Sequence, residues 1–151
     1  MRQRWRLANE EDVKDVASRL RKEDVIEGLA QKGYDIRPWL VSQFTPGNTY
    51  VIFNSEGVNV ALAGCEHAGN YNGVVWMVAT DDLLSHQMEF LKHSKRWIEE
   101  VCRPYKIVGN VVHAKNEVHL KWLKWCGFSF TKYHPKMGPL DEPFYEFCKV
   151  I

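Results

Sequence analysis

The sequence lacks any long hydrophobic run. Its longest uninterrupted apolar stretch is residues 74–79, whereas a helix that crosses a bilayer needs about 20 apolar residues. The N-terminal residues are basic, as at the start of a signal peptide, but Glu10, Glu11 and Asp12 stand where its apolar region would have to follow. The sequence therefore predicts no membrane segment and no secretion signal, and we expect the protein to stay inside the cell that makes it.

Cysteine and histidine are few and scattered. The four cysteines include no Cys-x-x-Cys pair, and the six histidines include no His-Glu-x-x-His pair that would place two ligands one helical turn apart. This excludes zinc sites of the usual spacings, and we expect no metal cofactor. In a reducing compartment the cysteines are expected to behave as small buried hydrophobic residues; they are Cys65, Cys102, Cys126 and Cys148.

Neither sign of charge dominates. Lys and Arg number 20 against 19 Asp and Glu, a formal net charge of +1, so the protein as a whole has no electrostatic reason to bind a polyanion or an anionic membrane. Of the 151 residues, 45% are hydrophobic and 26% are charged, which is the balance of an ordinary globular domain with a buried core. Disordered and fibrous classes are excluded, and we assign residues 1–151 to a single domain.

A basic and aromatic segment, Lys121-Trp122-Leu123-Lys124-Trp125, is a local candidate for contact with a polyanion. Interleaved cations and aromatic rings neutralise phosphates and stack on bases. At helical spacing, however, Trp122 and Cys126 share one face and are expected to pack on a sheet, while the lysines point to solvent. An exposed tryptophan suits a protein contact, because tryptophan is enriched in interaction hot spots. We therefore expect a protein partner and no nucleic acid.

The first half of the chain predicts a strand, two helices and a hairpin. Asn9 caps a first helix with Asp12 three positions on, and a second helix, or a bent continuation of the first, runs to Gly33. Pro38 and Pro46-Gly47 then predict breaks in regular secondary structure. Residues 49–54 and 58–65 are predicted to form the two strands of a hairpin, and residues 66–73 a polar loop.

The second half predicts the longest helix, 83–102, after a strand at 74–80 whose continuous apolar run is typical of burial on both faces. A strand at 106–113 follows, and then a short helix that Asn116 caps and that runs through Cys126 to Gly127. The last two strands are predicted at 128–133 and 144–150, on either side of a loop with Pro135, Gly138 and Pro139.

Two segments resemble a known family. Residues 5–13 read Trp-Arg-Leu-Ala-Asn-Glu-Glu-Asp-Val, similar to the first strand and capped helix that begin many of its domains, and residues 116–128 resemble its asparagine, helix and Gly-Phe segment after the fifth strand. Together with the order of elements, they make the chain similar to the GNAT superfamily of acyl-CoA-dependent N-acyltransferases. This resemblance implies an α+β fold with a mixed, mostly antiparallel central sheet flanked by helices.

A narrower resemblance is to a GNAT-like family of short-tailed phages. It rests on residues 75–81, on the long helix with Phe90-Leu91 and Trp97, and on the segment 116–123. Members of that family are described as internal virion or core proteins, and others as acetyltransferases by fold. The resemblance implies an accessory role in the host bacterial cytoplasm or in the virion, with a phage or host protein as partner.

The GNAT resemblance also implies an acyl-CoA site, from whose usual pattern this chain departs. GNAT enzymes hold the CoA pyrophosphate on backbone N–H groups of a glycine-rich loop at the start of the long helix. Here residues 80–87 contain no glycine, and Asp81 and Asp82 place carboxylates where phosphate oxygens would lie, although both also suit a first helical turn. We therefore expect acetyl-CoA or CoA to bind weakly or not at all. The candidate cofactor-binding residues are Met77, Val78, Ala79, Thr80, Ser85, His86, Gln87 and Asn116.

The expected proton-transfer residues depart from the family pattern as well. Many GNAT enzymes carry a tyrosine acid in the helix after the fifth strand, and the corresponding position here is Leu123, which cannot transfer a proton. Glu66 and His67, at the end of the third strand, and His113, at the end of the fifth, are candidate general bases, because each titrates and would lie on the amine side of the cleft. His119 replaces a residue that is usually small in the family and would either block the cofactor or serve as an acid.

Three functions therefore remain open from the sequence. The first is a GNAT-fold phage accessory protein with a degenerate acyl-CoA site that acts through protein contact. The second is an active acetyl-CoA-dependent N-acetyltransferase, in which an amine of a protein or small molecule attacks the thioester directly. The third is a small nucleic-acid-binding module, whose binding would weaken steeply with added salt.

Overall fold

The computed structural model describes residues 3–151, which form a seven-stranded sheet with helices on both faces. The strand order is β1-β2-β3-β4-β5-β7-β6, and neighbours are antiparallel except β4 and β5, which are parallel. The strands are β1 (Trp5–Leu7), β2 (Tyr50–Phe53), β3 (Asn59–His67), β4 (Asn72–Ala79), β5 (Ile107–His113), β6 (Ser129–Met137) and β7 (Glu142–Val150). The helices are α1 (Glu10–Ser18), α2 (Lys22–Lys32), α3 (Ile36–Ser42), α4 (Gln87–Val101) and α5 (Glu117–Trp125). The α+β class with a mixed, mostly antiparallel sheet is confirmed.

Helix α1 begins as the sequence predicts. The Asn9 side chain accepts a hydrogen bond from the Asp12 N–H, and the Asp12 carboxylate accepts one from the Asn9 N–H, both at 2.9 Å, which makes a capping box. Arg6 donates two more hydrogen bonds to this carboxylate, at 2.6 and 2.9 Å. The hydrogen bonds from Arg6 lower the pKa of Asp12, so the cap stays charged and ties β1 to α1.

Helix α3 lies where the sequence predicts a chain break at Pro38, and that prediction is wrong. The proline occupies the first turn of the helix, where its missing N–H removes no helical hydrogen bond. The Asp35 side chain caps the helix by accepting from the Arg37 N–H at 2.9 Å. A glycine allows α3 to pack closely on α2, because a Cβ on Gly28 would stand 2.6 Å from Ile36 Cγ2.

The longest helix starts later than its predicted bounds of 83–102. Residues Asp81–His86 wind as a 3-10 helix, and α4 itself begins at Gln87. The Thr80 carbonyl starts the tighter winding by accepting from the Leu83 N–H at 3.3 Å. This winding places Leu83 in the core at the end of β4.

The last hairpin runs longer than predicted, and the loop assigned around Pro135 is wrong. Pro135 lies inside β6, which is an edge strand, where a residue without an N–H costs no ladder bond. The strands β3 and β4 also extend into the loop predicted at 66–73 and leave residues 68–71 to connect them. Gly127 ends α5 in the left-handed region, with φ of 88°, as its position after the helix predicts.

Two hydrophobic cores lie on opposite faces of the sheet. The larger is formed with α4 and α5 around the fully buried Trp97, and the smaller with α1 and α3. The sequence predicts β4 buried on both faces, and one face differs: Trp76 and Val78 are half-buried, because that face borders the cavity described below. Within residues 3–151, no helix is long and apolar enough to cross a membrane.

Replacing Asn9 by Ala is expected to lower the free energy of unfolding by about 1 kcal/mol, because the capping box loses its side-chain acceptor. Urea denaturation measures the loss as a lower midpoint at unchanged slope. Asn9→Ser is the matched control, since serine keeps the cap. An equal loss in both variants would contradict the role assigned to the cap.

Candidate functional site

The parallel strands β4 and β5 pair briefly and then diverge. Residues 72–74 align with residues 107–109, and no pairing joins the later residues of the two strands within the described chain. Backbone N–H and C=O groups on the two facing edges therefore need other partners. This gap, which we call the wedge, is the candidate functional site.

The closed end of the wedge is held by a side chain. Asn110 Nδ2 donates to the Val75 carbonyl at 3.1 Å, and Asn110 Oδ1 accepts from the Val111 N–H at 2.8 Å. One side-chain amide therefore replaces the first missing rung between β4 and β5.

The open end of the wedge, which we call the mouth, is crossed by the start of α2. The Asp24 carboxylate accepts from the Ala79 N–H, and the Ala79 carbonyl accepts from the Arg21 N–H, both at 2.8 Å. Glu27, one turn further along α2, accepts from the His113 N–H at 2.8 Å. The last residues of β4 and β5 thus bond to α2 instead of to each other.

Asn116 joins the two carboxylates across the mouth. Its Nδ2 donates to Asp24 Oδ1 at 3.0 Å and to Glu27 Oε1 at 3.4 Å. Among residues 3–151 the Asn116 side chain accepts no bond from α5, so the predicted side-chain cap is wrong and the amide serves the two acids instead. We call Arg21, Asp24, Glu27 and Asn116 the mouth bridge.

The mouth bridge is charged, and its members are buried except Glu27, which is half-buried. The side chains of Arg21 and Asp24 are 2% and 1% exposed and pair at 3.2 Å, and His119 Nε2 lies 3.3 Å from the same carboxylate. Burial raises the pKa of Glu27, and the nearby His119 opposes that shift. Because each charge is held by a buried partner, removing one partner would leave the other without compensation.

Between the closed end and the mouth, the backbone of Met77 is open. The Val75 carbonyl and the Ala79 N–H both point into the wedge, and since backbone groups alternate along a strand, Met77 points its N–H and carbonyl the same way. Within the described residues no group bonds to this edge of Met77. The wedge therefore offers one backbone donor and one acceptor to a bound molecule.

A cavity of about 310 Å³ adjoins Met77 and extends to α2 and α3. Asp24, Glu27 and His119 form a polar part of its wall. The wall also includes aromatic side chains, among them Trp39, Trp76 and Trp122, and the exposed Glu66. An apolar cavity of this size with a few polar groups is typical of small-molecule sites.

The strand residues predicted to bind a cofactor divide between the cavity and the sheet. Met77 and Val78 line the cavity. Ala79 has both backbone groups bonded at the mouth, and the Thr80 N–H donates to the Val60 carbonyl across the sheet at 2.9 Å. Ala79 and Thr80, two of the four strand candidates, therefore already have backbone hydrogen-bond partners within the chain.

The candidates after the strand lie away from the cavity. Ser85 and His86 are in the 3-10 helix and Gln87 begins α4, and none of the three lines the cavity. His86 instead borders a separate void of about 10 Å³ beside Phe53. Asn116, the remaining candidate, belongs to the mouth bridge.

The structure brings two of the four predicted catalytic residues to the cavity. Glu66 and His119 line it, His119 being buried beside Asp24. His67 stacks on Tyr105 with ring centroids 6.2 Å apart and does not line the cavity. The His113 ring is buried with Nε2 3.1 Å from Glu142, so only its backbone N–H serves the mouth.

Sequence reasoning missed Arg21, Asp24, Glu27 and Asn110. The acids of α2 have the spacing of ordinary surface carboxylates, and their partners lie 55 to 92 positions away along the chain. The only signal in the sequence is indirect: Asp24 and Glu27 lie one turn apart on a helix whose apolar face is weak.

No model of a known protein family matches the sequence, and no curated protein gives a significant match. Solved structures match nearly the whole chain. Ard1 from Thermoplasma volcanium matches with a TM-score of 0.74 at 14% identity, over 97% of this chain and 96% of its own. A GCN5-related N-acetyltransferase from Kribbella flavida matches with a TM-score of 0.70 at 15% identity, over 97% of this chain and 96% of its own. A GNAT-family acetyltransferase from Bacillus anthracis matches with a TM-score of 0.69 at 13% identity, over 97% of this chain and 93% of its own. The chain therefore has the fold of GNAT acetyltransferases.

The start of α4 does not fit the pyrophosphate of the acyl-CoA that this fold implies. Residues 80–87 lack glycine, and the N–H groups of Asp82 and Leu83 already bond to the side chain and carbonyl of Thr80. The exposed Asp81 and half-buried Asp82 add carboxylates, and the neighbouring Arg19 is bonded to Asp82. A pyrophosphate here would meet negative charge and few free donors.

Replacing Glu27 by Gln is expected to stabilise the protein at neutral pH. The pKa of Glu27 is raised in the folded state, so the folded protein binds a proton on this carboxyl more tightly than the unfolded chain does. The stability that this proton contributes is therefore lost as the pH rises above the ordinary pKa of 4.5. Glutamine keeps the oxygen that accepts from the His113 N–H. Thermal unfolding at several pH values should show a higher melting temperature for Glu27→Gln than for the wild type at pH 7, and no difference in acid. An increase that is independent of pH, or absent at pH 7, would contradict this assignment. Glu23→Gln, on the exposed side of α2, is the control.

Replacing Asp24 by Ala is expected to cost about 3–5 kcal/mol, because it leaves the buried Arg21 without its buried charge partner and the Ala79 N–H unbonded. Glu23→Ala is the matched control: Glu23 also pairs with Arg21, at 3.3 Å, but is half-exposed, and we expect it to cost less than about 1 kcal/mol. Urea denaturation of both variants measures the difference. Similar losses would show that the buried pair does not stabilise the mouth.

Proposed function

We propose that this chain is a GNAT-fold accessory protein whose acyl-CoA site is degenerate and which acts through protein contact. The observation that carries the proposal is the mouth bridge, which occupies the edges of β4 and β5 at the end of the wedge that leads to α4. The site and not the fold supports this proposal, because solved acetyltransferase structures share the fold.

The mouth bridge opposes any extended ligand that runs from the wedge to the start of α4. Such a ligand has to displace Arg21 and Asp24 from the backbone of Ala79. Displacing them breaks the two hydrogen bonds to Ala79, and each buried polar group left unbonded costs about 1–3 kcal/mol, which has to come from the binding energy of the ligand. The carboxylates at Asp81 and Asp82 then oppose its phosphates, so both ends of the path disfavour acyl-CoA.

A surface suited to a protein partner lies on the outer face of α5. Trp125 is 41% exposed, and its indole is held in place because Nε1 donates to the Leu91 carbonyl at 3.0 Å. The exposed Lys121 and Lys124 lie on the same helix. A fixed tryptophan beside cations has the composition of an interaction hot spot for an acidic partner surface.

The phage setting belongs to the same proposal and rests on the sequence resemblance of residues 75–81 and 116–123. On that resemblance, the partner is a virion protein or a host protein, and the protein acts in the virion or in the host bacterial cytoplasm. The exposed face of α5 is where we place the contact.

Isothermal titration of acetyl-CoA and of CoA into the purified protein tests the degenerate site. We expect no binding heat up to high ligand concentration, with an active GNAT acetyltransferase titrated under the same conditions as the positive control. Micromolar binding that His86→Ala and Gln87→Ala weaken would overturn this part of the proposal, because it would show that the start of α4 holds the pyrophosphate.

Co-purification from phage-infected cells tests the protein contact. The wild-type chain is expected to retain a phage or host protein that Trp125→Ala loses, whereas Tyr133→Ala, an exposed aromatic in β6, keeps it. Retention of no partner by the wild type, together with robust turnover on an amine, would contradict the proposal.

An active N-acetyltransferase is the second candidate, and the open backbone of Met77 favours it. Its N–H is placed to receive the carbonyl oxygen of a bound acyl group, and the adjoining cavity has room for an acceptor. Glu66 and His119 line that cavity as titratable groups, while Leu123 supplies no acid. This candidate predicts release of free CoA thiol from acetyl-CoA and a lysine-bearing acceptor, reduced at least about tenfold in Glu66→Gln. No release across a broad panel of amines would reject it.

A further inference from the structure

The cavity that adjoins the wedge has more negative than positive groups on its wall. Three carboxylates line it, those of Asp24, Glu27 and Glu66, and among the described residues Lys32 is the one lysine or arginine that does. Arg21 pairs with Asp24, but no lysine or arginine of the described chain pairs with Glu27 or Glu66. Burial raises the pKa of Glu27, as expected of a carboxylate whose charge is incompletely compensated. The cavity therefore has the charge to attract a cation.

Aromatic rings are a second feature of the same cavity. Trp39 of α3 and Trp76 of β4 both line it, and both are half-buried. A Cβ on Gly64 would stand 2.5 Å from Trp76 Nε1, so the glycine lets this indole lie close against β3. Glu66 is two residues from Gly64 along β3 and therefore lies on the same face of the sheet as the indole. Negative charge and aromatic rings thus lie together in this part of the cavity.

One of these rings already holds a cation of the chain itself. Lys32 Nζ lies over the Trp39 ring, 4.6 Å from its centroid, a distance at which the ring attracts an ammonium group. Lys32 is exposed, so its strongly hydrated primary ammonium remains in contact with solvent. The interior of the cavity, which aromatic and aliphatic side chains mainly line, suits a cation that holds water less tightly.

We propose that this cavity is a binding site for a quaternary ammonium ion, which the rings of Trp39 and Trp76 hold by cation–π contacts and the carboxylates of Glu27 and Glu66 by their charge. Alkyl groups shield the charge of such an ion from water, and the ion takes the place of Lys32 on the Trp39 ring. A quaternary nitrogen has no lone pair and accepts no acyl group. The inference therefore goes beyond the proposed function and does not depend on whether acyl-CoA binds.

Calorimetric titration of the full-length protein with choline tests the site. The neutral control is 3,3-dimethylbutan-1-ol, which has the shape of choline with carbon in place of the charged nitrogen. We expect choline to bind at least about tenfold more tightly than this alcohol, because only choline makes cation–π contacts. It should also bind more tightly than n-butylammonium, which reproduces the Lys32 side chain. The proposal is overturned if choline does not bind, if the alcohol binds equally well, or if n-butylammonium binds more tightly.

The indole NMR signals of ¹⁵N-labelled protein locate the bound ion. The Nε1–H signals of Trp39 and Trp76 should shift as choline is added, because both rings line the cavity. Those of the fully buried Trp97 and of Trp125 on the outer face of α5 should not shift, since neither ring lines the cavity. Each signal is assigned by its loss when that tryptophan is replaced by phenylalanine. A shift confined to Trp125 would place choline on the surface and overturn the proposal.

Matched variants separate the contribution of the ring from that of charge. Trp39→Leu, with its folding checked by a thermal melt, should weaken choline binding at least about fivefold, whereas Trp125→Leu should leave it unchanged.

Lys32→Ala should instead tighten choline binding about two- to fivefold, because it frees the Trp39 ring and removes a like charge. Its control is Lys22→Ala, since Lys22 is also exposed on α2 but does not line the cavity. The proposal is overturned if Trp39→Leu binds choline as the wild type does, or if Lys32→Ala binds it no more tightly than Lys22→Ala.

Discussion

Neighbouring parallel strands that separate must satisfy the backbone groups along their facing edges by other means. An unbonded buried N–H costs about 1–3 kcal/mol, so the divergence of β4 and β5 constrains everything placed between them. Asn110 satisfies the edge at the closed end, and α2 satisfies it at the mouth through Ala79 and His113. The contacts of α2 and the Asn116 side chain at the mouth meet that requirement, whereas the edge of Met77 beside the cavity is left without a partner among the described residues.

Carboxylates are effective acceptors for strand N–H groups, but they bring charge into the interior. Asp24 is compensated by Arg21, while Glu27 relies on hydrogen bonds from His113 and Asn116 and keeps a raised pKa. The hydrogen bonds that cross the mouth thus depend on carboxylates whose removal from water is unfavourable. They lie within a fold that is that of the GNAT acetyltransferases.

Elements set by neighbours in the sequence were predictable, and those set by distant partners were not. The capping box of Asn9 and Asp12 and the left-handed Gly127 are local, so sequence pattern sufficed for them. Pro38 and Pro135 were misjudged because the cost of a proline depends on its place in a helix or sheet, which the sequence alone does not state.

In the candidate site, too, features set by neighbouring residues were predictable and contacts between distant residues were not. The absence of glycine after β4 and the paired acids at its end were visible in the sequence, and in the structure the two acids begin the 3-10 helix that leads into α4. The mouth bridge was not visible, because Asn116 meets Asp24 across 92 positions and each residue has an ordinary local role. The local pattern therefore predicts a helix cap at Asn116, whereas the side-chain amide bonds to the acids of α2.

The amides of Ala79 and His113 are protected by side chains of α2 rather than by a neighbouring strand. Their exchange with deuterated solvent therefore requires α2 to detach, while the rest of the sheet stays paired. Because α2 also packs on α3 through Gly28, the two helices would move away together. Because Arg21 and Asp24 both lie at the start of α2, their ion pair would move with the helix, and uncovering the mouth would instead break the bonds that Ala79, His113 and Asn116 make to α2.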